Sequence, residues 1–114
     1  MDYEPSNYEE LAATQVDSTK LFFLEDFIQS VKSDSVEIVF AISPRYKSVS
    51  RNMYIEIEKV CTKYDVPVLD FYNDSVMSID KSLFEDAAHL NYQGASKYTS
   101  TLCTSLNSLL QRNN

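Results

Sequence analysis

The one histidine of the chain, His89, stands three residues after Asp86 in the segment Asp86-Ala87-Ala88-His89-Leu90-Asn91, and the one glycine, Gly94, follows with Ala95 behind it. An acid three residues before a histidine can fix the imidazole tautomer and stabilise its protonated form. Those are the two services an acid renders to the general base of a hydrolytic triad. The segment offers an acid and a base, but the sequence carries no obvious nucleophile to go with them. Ser43 is a poor one, because Pro44 behind it has no N–H to give to an oxyanion. A metal reading of Asp86 and His89 needs a third ligand, which only Glu85 or the loop acids Asp74 and Asp80 could offer.

The elements that must position this pair follow from the spacing of apolar residues. Residues 1–16 read as an irregular, polar lead-in, and 17–114 as one domain-like stretch. Asp17-Ser18 suits a helix N-cap, and Leu21, Leu24, Phe27, Ile28 and Val31 recur at helical spacing until about residue 34. Residues 36–42 are β-branched and nearly all apolar, which predicts a strand buried on both faces, stopped by Ser43-Pro44. Met53, Ile57, Val60, Cys61 and Tyr64 form a second helical stripe, and 66–71 a second short strand. Residues 72–92 show neither glycine nor periodicity and read as a long connection, of the kind that is often functional. A last helix is expected over 93–111, with Ala95, Tyr98, Leu102, Leu106, Leu109 and Leu110 facing inward.

The order α-β-α-β-loop-α predicts an α/β fold whose two strands are parallel and joined by a right-handed crossover. Two parallel strands cannot cover their own faces and edges. The chain therefore reads as the second half of a doubly wound domain, completed by upstream chain or by a second copy in a homodimer. Arg45, Lys47 and Arg51 follow the C-terminal end of the first strand, where open α/β sheets bind ligands. They could hold an anionic group of a substrate or be plain solvated charges. Asp70 ends the second strand, as a phospho-accepting aspartate does in receiver domains, but that fold needs five strands and a partner lysine. Asn91 either caps the terminal helix or touches substrate.

Composition removes several classes of function. With 114 residues, 17 acids against 10 bases and a net charge of −7, the surface repels phosphate backbones and anionic lipid, so no nucleic-acid partner is expected. No apolar run approaches the roughly 20 residues of a membrane span, and the acidic N-terminus is no signal peptide. Average usage would give about eight glycines in this length. One glycine, at position 94, cannot build a phosphate-cradling loop or a nucleophile elbow upstream of it. Cys61 and Cys103 lack the clustering of a zinc centre and read as core thiols, bridged only if their helices abut.

The block Phe84-Glu85-Asp86-Ala87-Ala88-His89-Leu90-Asn91-Tyr92-Gln93-Gly94-Ala95 resembles the last conserved block of the SGNH (GDSL-like) hydrolases. That block is Asp-x-x-His followed by a polar residue, a glycine and the C-terminal helix. The layout over residues 18–112 is similar as well: a buried strand ending in Ser43-Pro44-Arg45-Tyr46, a helix, then Val-Pro-Val-Leu-Asp leading to the catalytic loop. Within the superfamily the chain is most similar to envelope-associated bacterial members that act on cell-surface polymers. The resemblance implies part of a flavodoxin-like, three-layer fold, with His89 as general base and Asp86 as its orienting acid. It implies hydrolysis of an O-acyl ester on a carbohydrate or lipid, no metal or organic cofactor, and a place in the bacterial envelope. The Gly-Asp-Ser nucleophile block, the oxyanion glycine and the Gly-x-Asn-Asp block of that family have no counterpart in this sequence. The residues alone are therefore expected to have little or no activity. The rival expectation is a non-catalytic, hydrolase-like module kept for binding or assembly.

Overall fold

A computed structural model describes residues 17–47 and 52–112. The expected lead-in over 1–16 lies outside the described residues, as do Arg51 and the side chain of Met53. The described chain is mixed α/β. Its elements are α1 (Ser18–Ser33), β1 (Phe40–Ile42), α2 (Asn52–Lys63), β2 (Val68–Asp70), a single 3-10 turn (Lys81–Leu83), β3 (Phe84–Asp86), β4 (His89–Leu90) and α3 (Tyr92–Arg112). β1 and β2 form one two-stranded parallel sheet, and β3 and β4 a second, antiparallel one. The chain divides into two compact units, one of residues 17–42 and 52–69, the other of 43–47 and 70–112.

In the first unit, the Asp17 carboxylate accepts the Thr19 and Lys20 N–H groups and so starts α1. Both helices end in the same way. After α1, Ser35 takes φ 61°, its N–H donates to Lys32 O, and the Val36 N–H donates to Val31 O. After α2, Asp65 takes φ 55°, its N–H donates to Thr62 O, and the Val66 N–H donates to Cys61 O at 2.8 Å. These are Schellman endings whose left-handed position, usually glycine, holds a serine and an aspartate. The glycine-poor composition thus leaves its mark in the backbone.

Ile28, Cys61 and Val66 form the buried centre, with Leu24, Ile38, Phe40, Ile57, Val60, Tyr64 and Val68 packed on it. Burial pushes the Cys61 thiol up from its ordinary value. Glu25 on α1 accepts from Lys63 Nζ at 2.7 Å and from the Tyr64 hydroxyl, and these bonds hold its carboxyl below the usual carboxylate range.

The expected strand over 36–42 contracts to three residues, and that over 66–71 likewise. Val36 is 53% exposed and Ala41 is exposed, so the first strand is not buried on both faces. Phe27, expected inward, is 57% exposed, beside Phe22 and Phe23 at 64% and 62%. A sheet of two strands has too little area to cover the whole apolar flank of α1.

In the second unit, the expected structureless connection is built. The Asp74 carboxylate accepts the Val76 and Met77 N–H groups, the Ser78 hydroxyl donates to Tyr72 O, and Asp80 caps the 3-10 turn. β3 and β4 then form a short hairpin with an irregularity between Phe84 and Asp86. Among the described residues the two expected parallel strands are thus joined by two further strands, β3 and β4, that were not expected. Tyr46, Met77, Leu83 and Phe84 form the core, with Phe71, Leu90 and Tyr98 against it. On α3, Tyr98, Leu102, Leu106 and Leu109 are partly buried as expected, but Ala95 and Leu110 are exposed. Cys103 is exposed and unbridged, so it is not a core thiol. Among the described residues no helix is long and apolar enough to cross a membrane.

Candidate functional site

The acid and the base meet across the β3–β4 hairpin. Asp86 is the last residue of β3, His89 the first of β4, and the two are cross-strand partners joined by Ala87 and Ala88. Directly opposed residues of an antiparallel pair project to the same side. His89 Nδ1 accordingly lies 2.8 Å from one Asp86 carboxylate oxygen and 3.0 Å from the other. The Ala88 N–H donates to the nearer oxygen at 2.9 Å, so the carboxylate is fixed by its own turn before the imidazole arrives.

The hairpin is anchored from outside. Ala87 is completely buried, and its carbonyl accepts the Tyr46 N–H at 3.0 Å. Tyr46 stacks at a tilt on Phe84, with ring centroids 5.7 Å apart, which holds the start of β3. At the other end, Asn91 closes the hairpin onto α3. Its amide donates to Ser82 O at 2.7 Å and accepts the Gly94 N–H at 2.9 Å, while its backbone N–H donates to Leu83 O. Both ends of the Asn91 side chain are engaged within the protein. Asn91 is the helix cap, the first of the two roles its position allowed.

The bond from His89 holds the Asp86 carboxyl below its ordinary value, against the opposing pull of partial burial. A carboxylate accepts and cannot donate. The neutral ring therefore carries its proton on Nδ1, leaving the Nε2 lone pair free to take a proton. The His89 side chain is 72% exposed and that of Asp86 44%. Both side chains are open to solvent. Among the described residues, Asp86 is the hydrogen-bond partner of the ring, and no hydroxyl is engaged by it.

The other expected residues fall into place differently. Arg45 is half-buried; its backbone N–H donates to Tyr72 O at 3.1 Å and its Nε is buried, so it is not a plain solvated charge. Lys47 is exposed, with Nζ 5.6 Å from the Tyr46 ring centroid. Ser43 is exposed, and Pro44 after it is buried. The Asp70 carboxylate accepts the Tyr72 N–H, a local turn contact. Glu85 is exposed and sits in the irregularity between Phe84 and Asp86. Asp74 and Asp80 hold backbone N–H groups of their own turns. Among the described residues no three of His, Cys, Asp and Glu come together as a metal-holding group.

Sequence reasoning missed the part played by Tyr46 and by the turn 74–80. The aspartates at 74, 80 and 86, each two residues before a backbone N–H it accepts, were the available signal. Comparisons with family models, with curated proteins and with solved structures return no match to this chain.

Proposed function

We propose that this chain is the C-terminal, base-supplying part of an SGNH-type serine ester hydrolase of flavodoxin-like fold. The observation that carries the reading is the Asp86–His89 pair itself: carboxylate pinned by a backbone amide, Nδ1 bound, Nε2 open. The block in which it sits has the family's order, with Asn91 as the polar residue and Gly94 at the helix start. A serine from outside this sequence, on upstream chain, would attack the carbonyl of an O-acyl ester on a carbohydrate or lipid. His89 would accept the serine proton at Nε2 and later return it to the leaving oxygen. Asp86 would hold the ring and balance its charge, and water would release the acyl-enzyme.

The test begins with the nucleotides ahead of the Met1 codon. An in-frame Gly-Asp-Ser segment is expected there, and the longer protein should hydrolyse a nitrophenyl ester. His89→Ala should lower its kcat by about 10³-fold or more, while the 114 residues alone give no rate above background. A longer protein whose esterase activity survives His89→Ala overturns the reading. The absence of any nucleophile block from the sequence favours a second reading, a module that binds without catalysis. A stable folded chain with no in-frame nucleophile block and no esterase activity would decide for it.

A further inference from the structure

Helix α1 carries a second stripe besides the one it buries. Lys20, Phe23, Phe27, Val31 and Asp34 stand three or four residues apart and so share one flank, clear of Ile28, the buried residue of the helix. Lys20, Phe23, Phe27 and Asp34 are exposed, and Val31 at the margin is partly buried. Asp34 is the C-cap, so its Cα still lies on the helix surface.

The charges of this stripe stand at the wrong ends of their own helix. The helix dipole favours acids in the first turn and bases in the last. Lys20 nevertheless lies in the first turn, which holds no acid, and Asp34 closes the other end. Asp17 and Lys32, which do follow the rule, are both off the stripe. The stripe is also symmetric. Phe23 and Val31 lie four residues to either side of Phe27, and Lys20 and Asp34 seven.

A pattern that is wrong for one helix and symmetric about its own middle is right for two. We infer that α1 pairs with α1 of a second copy, antiparallel about a two-fold axis through Phe27. Phe27 then meets its own counterpart, Phe23 meets Val31, and each Lys20 meets an Asp34, so that both misplaced charges are answered twice. The antiparallel neighbour also sets the positive end of each helix dipole beside the negative end of the other. Pairing in parallel would oppose Lys20 to Lys20 and Asp34 to Asp34. Self-complementarity of one patch is what a two-fold interface requires, and it selects a second copy over an unrelated partner. The four rings of Phe23 and Phe27 offer roughly 500 Å² of exposed apolar surface. A stable complex buries about 1,200 Å² or more, so this dimer is weak and depends on protein concentration.

Sedimentation of the whole 114-residue chain, at a salt concentration where the dimer is present, tests the pairing by charge exchange. Asp34→Lys sets lysine against lysine and should weaken the dimer about tenfold, although it lowers the net charge and with it the general repulsion. Lys20→Asp should weaken it as well. The two changes combined rebuild both pairs in reverse and should return the wild-type constant. Each change gives its end of α1 the charge its dipole favours, so the helix itself is not at risk. Phe27→Ser, an exposed change on the axis, should leave a monomer. A dimer tightened by Asp34→Lys, a double variant no tighter than either single one, or a dimer indifferent to Phe27→Ser would overturn the pairing, as would a chain that is monomeric throughout.

Discussion

At the scale of single residues, Asp86 joins two tasks that separate under mutation. Its carboxylate holds the His89 ring and also accepts the Ala88 N–H. Asp86→Asn keeps the size but brings an amide that can donate, and the Nδ1–H tautomer loses its advantage. The ¹⁵N signature of the neutral ring should move from Nδ1–H toward a mixture weighted to Nε2–H. The same residue carries a pH signature. A carboxyl whose folded pKa is depressed stabilises the fold fully above its unfolded value, and that contribution is lost as the pH falls through the folded value. The wild type should therefore lose stability below about pH 4 by one component that Asp86→Asn lacks. A set of denaturation curves across that range checks this, and the component is small because the group is 44% exposed. Gly94 is the opposite kind of residue, needed for space. A Cβ there would sit 2.0 Å from Leu83 O, a backbone atom, and 2.8 Å from Leu90 Cδ2. Helix propensity alone would favour alanine by about 1 kcal/mol. The clash reverses the sign, and Gly94→Ala should lower stability by about 1–3 kcal/mol in chemical denaturation. An alanine variant as stable as the wild type would show that the start of α3 is not pressed against this hairpin.

At the scale of elements, aspartate does the work that glycine does in most chains. Asp17, Asp70, Asp74, Asp80 and Asp86 each accept the N–H two residues on, which closes a turn without a positive φ. Where a positive φ occurs among the described residues, Ser35, Lys47 and Asp65 take it at a conformational cost of about 1 kcal/mol each. Asp65→Gly should therefore stabilise the protein by up to about 1 kcal/mol, read as a raised midpoint with unchanged slope in urea. A lower midpoint would mean that the Asp65 side chain contributes more than its backbone costs. The same accounting explains what could be read from the chain. The three helices were legible because their apolar residues repeat over three or more turns. The contact between Asp86 and His89 was legible from their three-residue spacing, although a two-residue hairpin link brings them together where the sequence suggested a helical step. β3 and β4 were not, because strands of three and two residues are too short to show a period, and their turn has no glycine. Tyr46 looked like a loop residue because its role lies in a backbone N–H, which every residue but proline has.

At the scale of the whole molecule, a net charge of −7 stands against an apolar surface the described elements do not cover. Leu21, Leu24 and Ile28 of α1 face the first unit's core or its margin, while Phe22, Phe23 and Phe27 are each more than half exposed. Phe22 and Phe23 touch only edge to face, with ring centroids 5.6 Å apart. Three aromatic rings on one helix supply enough apolar area to drive association, and copies of a strongly acidic chain repel each other at the same time. Repulsion between exposed charges is screened by salt and removed as the carboxylates take up protons, whereas aromatic burial is weakened by neither. Sedimentation at neutral pH should therefore show monomer in dilute buffer and a growing dimer as salt is added or the pH is lowered toward the carboxylate range. Phe23→Lys combined with Phe27→Lys should abolish the dimer in both conditions, since it removes two rings and leaves the buried Leu24–Ile28 side of the helix intact. A dimer that persists in that double variant would place the contact elsewhere, and a chain that stays monomeric at high salt would mean that the rings meet some partner other than a second copy.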